Sequence, residues 1–268
     1  MSSSSEESGS EEEIAQQPPS KKAKTTNFLA SQPLETPTQQ TVDTSKIKNG
    51  KQPIIVLLDL ATLETVKNRR GIYELLNCDD HREICKKKLK KNPNDFRPDI
   101  LHQELLALLD SPLNKAGMLK VYIHTTKKVL IEVNPSIRIP RTYKRFAGLM
   151  VQLLHKMKIK AANESTALLK VIKNPFSQHL PAGTRCYGFS CQGTLYSPIQ
   201  LAKALVPVEP SDKIPPTCLI IGAMSSGHIT LEDHPYIEKM VSISSYPLSG
   251  ASALSRVCGG IEHHWNIV

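Results

Sequence analysis

Apolar residues in this chain fall into runs whose spacing switches between strand-like and helical, and the runs begin only after about residue 50. Before that point there is almost no apolar periodicity. Ser2–Glu7 and Glu11–Glu13 are acidic, serine-rich tracts, and a Gln/Thr/Pro-rich stretch follows them. Such a segment buries too little apolar surface to offset the entropy lost on ordering, so a disordered tail is predicted over residues 1–50. From Pro53 the run Ile54–Leu60, broken only by Asp59, has the character of a buried strand. Ile100, Leu101, Leu105, Leu106, Leu108 and Leu109 recur at helical spacing behind Arg97-Pro98-Asp99, a favourable helix start, and Ser111-Pro112 should stop that helix. Two strands, Leu119–His124 and Val129–Val133, are joined by a polar turn. Phe146, Leu149, Met150, Leu153 and Leu154 predict a helix over about Thr142–Met157. The last third predicts strands at Arg185–Ser190, Thr217–Gly222 and Lys239–Ile243, with helices at Pro198–Leu205 and about Ala251–Ile267. Strands alternating with helices define an α/β domain with a mainly parallel sheet over residues 51–268.

Charge adds a partner to this picture. Residues 1–50 carry 5 Lys and 7 Asp or Glu, so the net charge of +9 becomes +11 over the remainder. Val133–Val208 holds 11 Lys or Arg against one carboxylate, Glu164. Surfaces normally mix both signs, and a one-signed tract implies a polyanionic partner. Within it, Arg138, Arg141, Lys144 and Arg145 alternate with Tyr143 and Phe146. Arginine pairs with phosphate through two parallel hydrogen bonds, and an aromatic ring can stack on an unpaired base. The tract therefore reads as an RNA- or DNA-binding face. The shorter basic run Lys21, Lys22 and Lys24 suits nuclear import or, equally, a solvated charge cluster.

The six cysteines form neither a C-x-x-C pair nor a secreted disulfide framework, which fits thiols packed as small hydrophobes and argues against zinc. The longest apolar run, Ile54–Leu58, is far too short to cross a bilayer, so no membrane association is expected. Glu262-His263-His264 has the composition of a metal site, but adjacent helical residues point in different directions, and a surface role is the better expectation. Two segments, Ile221–His228 and Ile243–Gly250, sit where loops leave predicted strands, the usual place for ligands in open α/β sheets. Gly222 and Gly227 would let backbone approach a ligand closely, although spacing alone reads both segments as ordinary turns. No G-x-G-x-x-G and no phosphate loop is present, so a nucleotide-dependent oxidoreductase is disfavoured.

Five motifs in order, Leu76–His81, Arg97–Gln103, Leu109–Gly117, Ile139–Phe146 and Ser245–Ser249, resemble those of the Emg/Nep family. These are pseudouridine N1-methyltransferases of the SPOUT superfamily that act in ribosome biogenesis. The resemblance runs from about Pro53 to Val268. It implies a SPOUT-type sheet with a C-terminal trefoil knot, S-adenosyl-L-methionine as cofactor, a homodimer, no metal, and work on small-subunit rRNA in pre-ribosomes of the nucleus and nucleolus. It assigns cofactor contacts to Phe189, Gly222, Gly227, Ile243, Ser244, Ser245, Tyr246, Pro247 and Leu248. It assigns RNA contacts to Arg97, Arg138, Arg141 and Arg145, with Tyr143 and Lys144 as weaker candidates. Arg97 would meet the target nucleotide and Asp99 would support Arg97, the pair forming the catalytic set. Read from the residues alone, Asp99 is a helix-start carboxylate and Arg97 a solvated cation. Asp99 serves as a general base only if it is not locked onto Arg97. Two positions depart from the family pattern: Ser245 replaces an Asn, and Ser226 a larger side chain. They keep a rival reading alive, a non-enzymatic rRNA-binding assembly factor. An inserted loop is expected near Val208–Pro216.

Overall fold

The computed structural model describes residues 54–161, 166–208 and 214–268. The tail with its Lys21–Lys24 run, Glu164, and the centre of the expected 208–216 insertion lie outside the described residues.

An eight-stranded sheet of order β10-β8-β9-β1-β4-β5-β7-β6 carries the molecule. Its middle strand is β1 (Ile54–Ala61), which pairs in parallel with β4 (Leu119–Thr125) on one side and β9 (Thr217–Gly222) on the other. A strand hydrogen-bonded along both edges and covered on both faces must be apolar throughout. That is why Ile54–Leu58 reads as an unbroken run and is buried throughout. Odd and even positions then divide between two cores. Ile54, Val56 and Leu58 face a cluster built with helices, while Ile55 and Leu57 face Phe176, Ile229 and Ile237 from irregular segments. One side of the sheet is thus covered by helices and the other by turns and loops.

The parallel half is completed by β8 (Arg185–Leu195) beside β9 and by β10 (Lys239–Ser242) beyond β8. The other half is antiparallel: β5 (Leu130–Val133) on β4, then β7 (Ala167–Ile172), then β6 (Lys158–Lys160) at the edge. The sheet is mainly parallel, as expected, with four parallel pairings against three antiparallel ones, and the β6–β7 hairpin is an extension that the sequence pattern did not single out. The strand predicted to end at Ser190 continues to Leu195. Its pairing with β10 shifts register after Gly188, and a Cβ on Gly193 would lie 2.6 Å from the Val241 backbone, so only glycine permits this close crossing. A small hairpin, β2 (Thr65–Lys67) and β3 (Tyr73–Leu75), and a short helix α1 (Arg82–Ile84) stand apart from the main sheet.

Helices α2 (Pro98–Leu109), α4 (Tyr143–Lys156), α5 (Pro198–Leu205) and α6 (Gly250–His264) follow the predicted spacing closely, whereas the short α3 (Pro112–Lys115), just after the expected stop, was not predicted. Their ends are chemically marked. Pro98 opens α2, and the Ser111 hydroxyl caps the start of α3 by accepting the Asn114 N–H. Ser197 and Gln200 cap one another reciprocally at the start of α5. Ser249 accepts the Ser252 N–H at the start of α6. Helix α6 ends three residues before the expected Ile267, where the Trp265 indole turns to donate to the Pro207 carbonyl at 2.9 Å. Glu262 accepts the Leu113 N–H while His264 faces Pro207, so this trio diverges as its helical spacing requires.

Candidate cofactor pocket and nucleic-acid face

The carboxyl ends of β8, β9 and β10 open into a cavity of about 490 Å³ closed by the start of α6 and one side of α2. Phe189, Gly222, Gly227, Ile243, Ser244, Tyr246, Pro247 and Leu248 all line it, and Arg97 borders it from the start of α2. Three loops distant in sequence are therefore brought to one place by strand order alone. Ser245, alone among the expected cofactor residues, does not line the cavity, and neither does Ser226. The two departures from the family pattern thus fall outside the lining.

Sequence reasoning missed the walls Ile100 and Gln103, and within its candidate loop Ile221–His228 it did not single out Met224 or His228. The spacing of Ile100 and Gln103 from Arg97 places them on one face of α2, a signal that was available. The floor is apolar, with Ile221, Ile229, Val241 and Ile243, and the rim carries backbone and serine groups. Volume and character match sites that enclose a small organic ligand and orient it by a few polar contacts. Gly227 sits at φ +100°, a conformation that L side chains rarely adopt. A Cβ on Gly222 would lie 2.6 Å from the Met224 methyl.

Two buried acids hold this region. Asp59, near the end of β1, is in register with Gly222, and its backbone carbonyl accepts the Ala223 N–H at 2.7 Å. Its side chain faces His124 at 2.7 Å and His234 at 2.6 Å, and His234 in turn faces the Tyr236 hydroxyl at 2.8 Å. Burial alone would raise its pKa, but hydrogen bonds from both imidazoles and from the Leu60 N–H hold the carboxyl well below the usual range. This ionised hub ties the β9–β10 connection, which carries Gly227 and His228, onto β1. The second acid, Glu104 on α2, is fully buried, and neither carboxyl oxygen has a hydrogen-bond partner among the described residues. Its Oε1 fills the space beside Gly250 at the first turn of α6, and burial pushes its pKa up to about 8.

Arg97 donates through Nε and Nη2 to both oxygens of Asp99, at 2.7 to 3.1 Å. Both carboxylate oxygens of Asp99 are therefore engaged by Arg97.

The basic segment wraps the far side of α2. His102 anchors it, with Nε2 2.7 Å from the Pro140 carbonyl and its ring stacked on Phe146 at 4.4 Å. Phe146 is consequently buried, and it is not a stacking platform for a base; Tyr143 is only half-buried. Arg138, Arg141, Lys144 and Arg145 are exposed. The segment is acid-poor in sequence, yet the fold brings Asp110 to within 3.0 Å of Arg141. Lys144 and Arg145 occupy the first turn of α4, which has no acidic residue and no side-chain cap. Cations there oppose the helix dipole, and the arrangement leaves N–H groups and positive charge together for an anion.

A mostly parallel α/β sheet with its pocket at the carboxyl ends of β8, β9 and β10, beside a basic face, has the arrangement of a SPOUT-type cofactor-binding protein. The chain superimposes with TM-score 0.65 and 27% identity on the crystal structure of Archaeoglobus fulgidus Nep1 bound to S-adenosylhomocysteine, covering 80% of this chain and 99% of that one. Residues 56–262 match the EMG1/NEP1 methyltransferase family, and the chain belongs to that family. Among its relatives are the ribosomal RNA small subunit methyltransferase NEP1 of Homo sapiens, 50% identical over 82% of this chain and 85% of the human protein, and Nep1 of Staphylothermus marinus, 34% identical over 82% of this chain and 100% of the archaeal one. Among the described residues no helix is long and apolar enough to cross a membrane, and no group of three or more His, Cys, Asp or Glu is arranged to hold a metal.

Proposed function

We propose that this chain is an S-adenosylmethionine-dependent methyltransferase that methylates N1 of a pseudouridine in small-subunit rRNA and acts in 40S subunit biogenesis. The observation that carries the reading is the cavity itself, where the separate loops of β8, β9 and β10 converge with Arg97 at the border. When bound, S-adenosylmethionine supplies a transferable methyl group on a sulfonium. Gly222, Gly227 and the Ile243–Leu248 loop would hold it against the apolar floor. Arg97, aimed by Asp99, would meet the target base and stabilise the negative charge that develops as N1 loses its proton. Arg138, Arg141 and Arg145 would hold the surrounding phosphates, so that most of the chemical advantage comes from positioning. The target must reach a cavity walled by α2 and α6, which requires a looped or flipped nucleotide.

The exposed Tyr246 and the partly exposed Leu248 at the cavity rim support the homodimer that the family resemblance implies, since the described residues leave both open to a partner. The placement of β10 beyond β8, although it follows β9 in sequence, supports the trefoil knot. Nuclear and nucleolar residence follows from a pre-ribosomal substrate. The non-enzymatic rival loses its main support, because Ser226 and Ser245 lie outside the cavity lining.

Calorimetry with S-adenosylmethionine, paired with methyl transfer to a hairpin containing either pseudouridine or uridine, tests the reading. Binding and transfer confined to the pseudouridine hairpin are expected. Binding of RNA without any affinity for the cofactor would establish the assembly factor instead.

A further inference from the structure

A second basic element lies outside the arginine segment and outside the cavity. Residues 82–91 carry six Lys or Arg and one carboxylate, Glu83. Helix α1 runs into a wide turn, Cys85–Leu89, that ends with Lys90 in the left-handed conformation at φ 52°. The turn is closed by the Lys91 N–H on the Cys85 carbonyl at 3.0 Å. Cys85 anchors it from below, fully buried with Leu76 and Phe96 in a small cluster of their own. Lys86, Lys87, Lys88, Lys90 and Lys91 are all exposed. Lys87 pairs with Glu83 at 2.7 Å and Lys91 with Glu64 at 3.7 Å, while Lys86, Lys88 and Lys90 make no ion pair among the described residues. A non-glycine residue in the left-handed region costs on the order of 1 kcal/mol, yet the position carries a lysine.

The turn is tied to the nucleotide-facing arginine. The Lys91 ammonium lies 5.6 Å from the centre of the Phe96 ring, and Phe96 precedes Arg97 in the chain. The Phe96 carbonyl accepts the Cys78 N–H, and the neighbouring Asn94 carbonyl accepts the Ser225 hydroxyl of the cavity loop at 2.8 Å. On its other side Arg97 opens α2, whose His102 anchors the arginine segment. Arg97 is therefore linked through Phe96 to the lysine turn and through α2 and His102 to the arginine segment.

A nucleotide presented from a loop has RNA backbone on both its 5′ and 3′ sides, and one cationic segment can follow only one of them. Lysine provides point charges on flexible stems, suited to phosphates and indifferent to base identity. We infer that the Lys86–Lys91 turn is a second RNA-backbone site, holding phosphates on the side of the target nucleotide opposite those held by Arg138, Arg141 and Arg145. This inference rests on the methyltransferase reading above for its partner, an RNA loop with flanking strands.

The test is the full-length triple variant K86Q/K88Q/K90Q, which removes charge only where no ion pair among the described residues is lost. Hairpin RNA with long flanks and the same loop with minimal flanks are bound across a salt series. For the long-flank RNA, the slope of log affinity against log salt should fall by roughly 2 to 3, from about 0.7 to 0.9 per lost phosphate contact. For the minimal RNA the slope should change less. Melting temperature, S-adenosylmethionine affinity and turnover at saturating RNA should match wild type. An unchanged slope on the long-flank RNA would overturn the lysine site and leave the proposed function standing. Failure of the wild-type protein to methylate any RNA would overturn the proposed function while the slope still reports on the lysines.

Discussion

Replacing Glu104 by Gln should make the protein more stable at neutral and alkaline pH and remove most of a pH dependence that wild type should show. The side chain is fully buried, its two oxygens have no partner among the described residues, and burial raises its pKa from 4.5 to about 8. The sign follows from proton uptake. Below pH 4.5 both folded and unfolded states hold the proton and the group is neutral to stability. Above it, the unfolded chain releases the proton first, so stability falls with rising pH until the folded carboxyl also ionises near pH 8. The loss amounts to about 3 kcal/mol at pH 7 and about 5 kcal/mol above pH 8, at roughly 1.4 kcal/mol for each tenfold change in proton affinity. For a chain of this size each kcal/mol moves the melting temperature by roughly 2 to 4 °C. Gln keeps the shape and cannot ionise, so the gap between variant and wild type should widen from pH 5 to pH 8.5 and then level off. Melting curves at half-unit pH steps would measure it. A gap that is constant over that range would refute the argument, because it would show that the carboxyl ionises alike in both states.

Gly250→Ala should destabilise by more than an ordinary surface change, because its Cβ would fall 1.9 Å from Glu104 Oε1, and the double variant with Glu104→Ala should recover stability; equal melting temperatures for wild type and Gly250→Ala would refute the contact. Gly222→Val should abolish cofactor binding by driving the Met224 methyl into the cavity, with RNA binding retained, and wild-type affinity in calorimetry would remove Gly222 from the site. Asp59→Ala should cost about 3 to 5 kcal/mol, as expected for one partner lost from a buried charged network, and should weaken cofactor binding through the β9–β10 connection. Because the folded pKa of Asp59 is depressed, its contribution is present above the ordinary carboxylate range and lost as pH falls, so the variant should lose less stability than wild type on acidification. Arg97→Ala should reduce methyl transfer more than RNA affinity, whereas Arg145→Ala should reduce affinity and its salt dependence; filter binding beside transfer assays separates the two.

Elements buried on a regular face were legible in the sequence. The limits of α5 and β9 coincide with the predicted ones because a capping serine followed by proline opens the first and an unbroken apolar run with a terminal glycine marks the second. The hairpin β6–β7 was not singled out, because Lys158–Lys160 is an edge strand whose alternating lysines resemble a solvated stretch. The cofactor loops were found through motif resemblance, and their spacing alone is that of turns. Asp59 and Glu104 escaped notice for a different reason. Each looks like a lone carboxylate in an apolar run, and only the fold shows that one meets a histidine of β4 and another of the β9–β10 connection while the other meets the missing Cβ of Gly250. The aromatic interleaving of the basic tract was partly misleading, since Phe146 serves the core.

The position of β1 sets a schedule for synthesis. Its partner β4 follows within about sixty residues, but its other edge waits for β9, where Ile54 meets Thr217. During translation the most apolar strand of the chain therefore leaves the ribosome with one edge unpaired, and it stays so until four-fifths of the polypeptide has been made. An open apolar edge is a template for pairing with other chains, and parallel pairing across such a span forms slowly. A ribosome that stalls between β7 and β9 would release a fragment that holds the arginine segment and the lysine turn but lacks most of the cavity. Such a fragment keeps its attraction for polyanions and has a sticky edge. Quality control of truncated products should matter more for this protein than for one whose central strand is paired early.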